Sequence, residues 1–350
     1  MFIDNILPTR HTVIVLGAGR SGTSLAMQIL VRMGCIVSNQ LITANSSNPE
    51  GFYEDAKIRD VHVELIDKLS THPSVPLEKD WLNTVAARQA LQTIQYLVEE
   101  RVSSADQIWC LKDPLINCFL PLWFKIFNRL RIVPKYILAL RNPADTVASF
   151  IRQYGYSSHL AELVFLNRVI DALQYTSADC FVAHYEDWFD EPLPLAQSLL
   201  HYTGLDKTFK DDLSELLAQK IKSNLNRASK DDYEIQNPYV KKLYAALQQC
   251  RGADFDRDRL MAVVKECRHA MEGFKGWYQL AHQANKKWAD TQGRLEKANA
   301  EAAKVKTLEG RIRELEAEKS HYEQWVQQVQ KLERQFEQLM AVKLDATWPN

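Results

Sequence analysis

A glycine turn between a short β-branched strand and the start of an apolar helix constrains this chain more than any other feature. The stretch reads His11-Thr-Val-Ile-Val-Leu-Gly17-Ala-Gly19-Arg20-Ser21-Gly22-Thr23-Ser24. Val13 to Leu16 is short and branched, which predicts a buried strand. Gly17, Gly19 and Gly22 allow positive φ and close approach of the backbone to a ligand. Apolar residues recur at helical spacing from Ser24 to Met33, and Gly34 is suited to end that helix. A helix N-terminus after such a turn presents free N–H groups and positive dipole, so the loop is expected to hold an anion.

Three anion-binding patterns compete here. Gly17-x-Gly19-x-x-Gly22 fits a dinucleotide fingerprint, which also wants an acid roughly 20 residues further on for the ribose. No Asp or Glu occurs between Thr23 and Pro49, so that pattern falls behind. Gly17-x-x-x-x-Gly22 fits a Walker loop, but Thr23 stands where the lysine belongs and the cation, Arg20, lies inside the loop. A third pattern, an arginine with hydroxyls around a diester-like phosphate, matches Arg20, Ser21, Thr23 and Ser24.

A second phosphate motif stands on its own residues. Lys135 to Leu140 predicts another buried strand. Asn142 suits an N-cap, Pro143 the N1 position and Asp145 the first turn, so Arg141 leaves the sheet where strand becomes helix. That edge is where open α/β sheets bind ligands. Ser149 lies two turns into the helix. The alternative is that Arg141 pairs with a surface carboxylate and Ser149 only fills the helix.

On these residues the chain resembles the sulfotransferases that use 3′-phosphoadenosine 5′-phosphosulfate (PAPS). Arg20-Ser-Gly-Thr-Ser24 resembles their 5′-phosphosulfate loop, and Arg141-Asn-Pro-Ala-Asp-Thr-Val-Ala-Ser149 their 3′-phosphate motif. Asn48-Pro-Glu-Gly-Phe-Tyr-Glu54-Asp55, Leu111-Lys112-Asp113-Pro114 and His184-Tyr185-Glu186-Asp187-Trp188 resemble segments of the family's bacterial branch. The resemblance covers residues 11 to about 230 and leaves out the last third of the chain. It implies an α/β fold, a P-loop-type three-layer α/β/α arrangement on a parallel sheet. It also implies sulfuryl transfer from PAPS, without a metal, to a hydroxyl or amine of a small-molecule or glycan acceptor.

The resemblance further implies site roles. Arg20, Gly19, Gly22 and the N–H groups of Ser21 to Ser24 would hold the 5′-phosphate, with hydroxyl donors from Thr23 and Ser24. Arg141 and Ser149 would hold the 3′-phosphate. Arg227 stands where the family often places a further arginine, or is a plain surface residue. Glu54 is the first candidate for the general base and Glu50 the second; Glu54 or Asp55 could instead cap a helix starting near Ala56. Lys112 could assist the leaving oxygen or approach the acceptor, or could form a structural ion pair with Asp113. His62, His72, His159 and His184 carry no motif. A nucleotide or small-molecule kinase is the alternative function, and a degenerate interaction protein a third class.

Composition permits a full domain core: 350 residues, 46% hydrophobic, with a formal net charge of −1. That charge gives no argument for nucleic-acid or membrane partners. No signal peptide or membrane-length apolar run is apparent, so a cytoplasmic location is expected. The six cysteines show no C-x-x-C pairing and are expected to be reduced structural thiols.

Strands are predicted at Val13–Leu16, Cys35–Ser38, Ile108–Leu111, Tyr136–Leu140 and Phe181–Ala183. Helices are predicted at Ser24–Met33, Ala56–Leu69, Thr84–Val102, Asn117–Leu130 and Ala144–Gln153. Thr71 to Asp80, rich in Pro and charge, is expected to be a surface loop. Domain boundaries are placed at 1–230 (sulfotransferase domain), 231–284 (helical region) and 285–342 (coiled coil or long helix). Ala298, Ala302, Val305, Ile312, Leu315, Tyr322, Val326, Val329, Phe336 and Leu339 follow a three–four spacing, with Lys319 as a polar interruption. Through it the chain would form a homodimer or bind a partner protein, or the helix would fold back on the catalytic domain.

Overall fold

Four short strands carry the architecture: β1 (Arg10–Leu16), β2 (Trp109–Lys112), β3 (Ile132–Leu140) and β4 (Phe181–His184). The computed structural model describes residues 10–44, 48, 50–102, 107–221, 233–273 and 275–345. All strand pairs are parallel, in the order β2-β1-β3-β4, with Val15 opposite Lys112, Leu16 opposite Leu138 and Leu140 opposite His184. Parallel pairing requires helical crossovers. These are α1 (Thr23–Arg32), α2 (Ala56–Lys68), α3 (Val85–Arg101), α4 (Ile116–Leu130), α5 (Pro143–Tyr154) and α6 (Ser158–Thr176). After β4 come α7 (Asp187–Asp190), α8 (Pro192–Thr203), α9 (Leu213–Lys220), α10 (Pro238–Leu247), α11 (Arg257–Gly273) and α12 (Lys275–Asp345).

Strand periodicity divides the core into two layers. Ile14, Leu16, Leu138 and Leu140 point to one face, with α2 to α6, α10 and α11. Val13, Val15, Ile137 and Ala139 point to the other, with α1, α8 and α9. Every one of these strand residues is buried, which explains why the strands read as continuous apolar runs rather than alternating ones. The result is a three-layer α/β/α unit. Trp109, Trp123, Phe119 and Phe165 are among its largest fully buried side chains, each contributing on the order of 2–3 kcal/mol by burial.

The predicted elements that are observed fall close to their predicted bounds, although β3 starts at Ile132 rather than Tyr136 and α7 and α8 lie outside the predicted set. Cys35–Ser38 is no strand: only Ile36 bridges Trp109, because its segment peels away after one pair. Helix α6 lies outside the predicted set; it is apolar nearly all round, with Val164, Phe165, Leu166, Val169 and Ile170 buried, so no amphipathic stripe marks it. Residues 73–76 are buried rather than forming a surface loop, because the Asn167 amide donates to the carbonyls of Pro73 and Val75. Cys35 and Cys110 are joined as a disulfide (Cα–Cα 5.9 Å), whereas Cys118, Cys180, Cys250 and Cys267 are free and buried. The bridge between Ile36 and Trp109 sets that pair side by side.

Residues up to Leu280 form one compact unit and those from Ala281 onward a second, which belongs to α12, a helix of 71 residues. Among the described residues no helix is long and apolar enough to cross a membrane.

Candidate active site

The sheet order reverses at β1: the chain moves from β1 to β2 on one side and then to β3 on the other. Ligands of open α/β sheets bind at the carboxyl ends of strands beside such a switch point. Every strand delivers part of a cleft there: the Gly17–Ser24 loop after β1, Lys112 at the end of β2, Arg141 after β3 and Tyr185 after β4. The cleft encloses about 390 Å³ and is lined by Gly19, Arg20, Gly22, Thr23, Ser24, Glu50, Glu54, Lys112, Arg141 and Ser149 among others. All of these are sites expected from sequence.

The loop is held open by its backbone. Gly19, Arg20 and Gly22 have φ of +83°, +56° and +85°. Left-handed backbone at these three positions bends the loop around the cleft, which all three line. Gly22 has a second reason to be glycine: a Cβ there would stand 2.4 Å from the Tyr185 ring. The strand end of the loop is clamped by Asn117, which is fully buried and donates to the Gly17 carbonyl at 2.6 Å. Arg168 Nη1 donates to the next carbonyl, Ala18, at 2.6 Å. Both supports come from helices, α4 and α6, and no local pattern announces them. Ser21 differs from the other loop hydroxyls. Its side chain is buried against Gly17, so only its backbone can serve the cleft.

The Gly17–Ser24 loop and the Arg141–Ser149 segment meet directly. Arg20 Nε donates to Ser149 Oγ at 3.0 Å. Asn142 caps α5 by accepting from Ala144 N at 3.0 Å, Pro143 takes the first helical position, and Asn142 N donates to Glu186. Arg141 is thereby fixed at the strand–helix corner. It is buried, stacks on the Tyr185 ring at 4.4 Å and has the Asp145 carboxylate 3.5 Å from its Nε. Arg141 thus has an acidic neighbour, as the carboxylate alternative held, and it also lines the cleft.

Ser24, on the first turn of α1, ties the loop to the segment before α2. Its Oγ donates to the Phe52 carbonyl at 3.4 Å and accepts from Asn48 Nδ2 at 3.3 Å. Asp55 caps α2, as one alternative for it held, accepting from Lys57 N and Ile58 N. Its other oxygen pairs with Arg101 Nε at 2.9 Å.

Glu54, one residue earlier, faces the cleft and pairs with Lys112 Nζ at 2.5 Å. Burial raises the Glu54 pKa, the Lys112 charge and hydrogen bond oppose that rise, and the net position stays above the ordinary carboxylate value. Glu50 also lines the cleft.

Lys112 is not paired with Asp113, contrary to one expectation. Adjacent residues at a strand end point to opposite faces, so Asp113 turns away and pairs with His62 Nδ1 at 2.6 Å. Trp123 Nε1, a donor only, reaches His62 Nε2 at 3.0 Å, so Nε2 accepts and Nδ1 carries the proton. Burial of Asp113 favours its neutral form, but His62, the Leu115 N–H and Lys112 together hold its pKa below the usual value. His62 carries no motif in the sequence, since a histidine on a helix gains meaning only from what lies across from it. His184 is structural, bonded to the Cys250 carbonyl at 2.9 Å. Arg227 lies outside the described residues.

Among the solved structures that resemble this chain are three sulfotransferases or sulfotransferase domains. The sulfotransferase domain of the Synechococcus PCC 7002 olefin synthase matches with a TM-score of 0.38 and 14% identity, over 74% of this chain and 94% of that one. A sulfotransferase from Mycobacterium avium matches with a TM-score of 0.37 and 14% identity, over 74% and 76%. The sulfotransferase domain of the curacin biosynthetic pathway matches with a TM-score of 0.36 and 13% identity, over 75% and 98%. No family model and no curated protein matches the chain.

Proposed function

We propose that this protein is a sulfotransferase that moves the sulfuryl group of PAPS to a hydroxyl or amine of an acceptor, a carbohydrate or a small metabolite. The observation that carries this reading is the meeting of Arg20 and Ser149 at 3.0 Å beside Arg141 in one cleft. Two separate cationic corners at the ends of β1 and β3 suit a ligand with two phosphates better than one with a single polyphosphate tail. The donor set fits PAPS: arginine forks, hydroxyls and left-handed backbone, with Thr23 where a phosphoryl-transfer loop would carry its lysine.

PAPS supplies an activated sulfuryl group whose S–O bond to phosphate breaks as a bond to the acceptor oxygen or nitrogen forms. Arg20 and the loop N–H groups would stabilise the charge left on the phosphate oxygen. Arg141 and Ser149 would hold the 3′-phosphate and set the register of the donor. Glu54 would take the acceptor proton, its raised pKa bringing a carboxylate nearer to neutrality. Lys112, 2.5 Å from Glu54, would keep that carboxylate ionised and aimed. Glu50 is the second candidate for the proton, and Arg227 for the 3′-phosphate.

Calorimetric titration with 3′-phosphoadenosine 5′-phosphate, ATP and 5′-AMP in EDTA tests the proposal. Binding of the bisphosphate in preference to the other two, lost in Arg141→Ala, is the expected result. Equal binding of ATP, or none of the bisphosphate, would overturn it.

A further inference from the structure

The second unit carries an apolar stripe that stands exposed among the described residues. Val305, Leu308, Ile312, Leu315, Tyr322 and Val326 are 45–66% exposed. They recur in steps of three and four around one face of α12, with Lys319 taking one place in the series. An isolated surface helix has no use for such a seam, and a two-stranded supercoil buries it.

The charges beside the seam identify what covers it. With Val305, Ile312 and Lys319 at the first core position of successive heptads, Leu308, Leu315 and Tyr322 take the second. Lys304, Arg311 and Glu318 then flank the seam on one side, and Glu309, Glu316 and Glu323 on the other. In a parallel, in-register pair each residue of the first flank faces the next heptad's residue of the second flank on the other chain. Lys304 meets Glu309 and Arg311 meets Glu316, both opposite in sign. Glu318 meets Glu323, and the two Lys319 ammonium groups lie beside that acidic pair. In an antiparallel pair the second flank faces itself, and there it is entirely acidic. Among the described residues these groups make local pairs, Arg311 with Glu314 at 2.7 Å and Lys319 with Glu323 at 3.8 Å. We infer that the exposed seam of α12 binds a second copy of this chain, forming a parallel, in-register two-stranded coiled coil over residues 304–326. The helix is its own complement in that orientation.

The test uses the full chain in sedimentation equilibrium at micromolar concentration. The wild type is expected at twice the 40.3 kDa chain mass and Leu315→Asp at the single mass. Far-UV circular dichroism and the melting transition of Leu315→Asp check that the rest of the protein stays folded. Arg311→Glu is expected to weaken self-association roughly tenfold, having turned two attractive pairs repulsive. Adding Glu316→Arg is expected to restore it. Leu308→Cys and Val326→Cys, each alone, are expected to cross-link to themselves on oxidation, since the four free native thiols are buried. A monomeric wild type, a dimer indifferent to Leu315→Asp, a charge swap that fails to restore, or cysteines that do not self-link would each overturn the inference.

Discussion

Arg20 Nε lies 3.0 Å from Ser149 Oγ, joining two motifs 129 residues apart in the chain. Arg20 is a left-handed residue in a glycine loop and Ser149 sits two turns into α5. Their bond therefore reports that β1 and β3 are neighbours and that both loops open to one side of the sheet. It also means that a change at either side chain removes a hydrogen-bond partner of the other.

Removing Ser149 should separate the two phosphates. Ser149→Ala is expected to weaken binding of the 3′,5′-bisphosphate by about 1 kcal/mol, roughly a factor of five, and to leave 5′-AMP nearly unchanged. Isothermal titration of both nucleotides on wild type and variant measures this directly. An equal loss for the two ligands would place Ser149 in structural support of Arg20 rather than at the 3′-phosphate.

The Glu54–Lys112 pair carries a pH signature. A base must be ionised to accept a proton, so activity should fall on the acid side through the Glu54 pKa, above the ordinary value of 4.5. Lys112 lowers that pKa, so Lys112→Met should move the acid limb of kcat/KM to higher pH, whatever it does to the rate itself. Glu54→Gln should lose the limb along with most of kcat. The same raised pKa means that the folded state binds the proton more tightly than the unfolded state. Its contribution to stability therefore declines as pH rises through the window above 4.5. A limb that stays in place in Lys112→Met would remove Glu54 from the role of base.

Asp113 should behave in the opposite sense. Its pKa is depressed, so its contribution to stability is present above the usual 3.8 and is lost as pH falls through the lower folded value. His62→Leu leaves a buried carboxylate without its main partner and is expected to cost about 3 kcal/mol at neutral pH. Denaturant unfolding at pH 7 and pH 3.5 checks both signs: the deficit of His62→Leu should shrink at the lower pH. A deficit independent of pH would mean that packing of the imidazole, and not its bond to Asp113, matters.

Gly22 faces two penalties. Gly22→Ala places a Cβ 2.4 Å from the Tyr185 ring and forces an alanine to φ +85°. The variant should lose about 1–2 kcal/mol from the backbone alone and more from the clash. Adding Tyr185→Ala should relieve the clash and leave the backbone penalty. Thermal melts of the two single variants and the double separate the contributions; full recovery in the double variant would falsify the role given to backbone conformation.

Much of the site was legible because its chemistry is local. Gly17 to Ser24 and Arg141 to Ser149 each write a strand end, a turn and a helix start in consecutive residues, so loop, cap and cation could be read without knowing what lay opposite. Asn142 and Asp55 cap their helices as their residue types predict. Illegible were the groups whose role is given by a partner far along the chain: His62 against Asp113, Asn117 against Gly17, Arg168 against Ala18. The buried helix α6 escaped for a related reason, since burial on all sides erases the periodicity that marks a helix.

The sequence by itself determined the strand–turn–helix units, their order and the cations each presents, because backbone preference, capping and hydrophobic spacing act over a few residues. Only the tertiary structure decided which units stand side by side. Placing β1 between β2 and β3 brought Arg20 to Ser149 and, through the same sheet edge, Lys112 to Glu54. It also sent Asp113 to His62 instead of to its neighbour in sequence. Those pairings follow from sheet order and the alternation of side chains along a strand, and neither is written within reach of any local window.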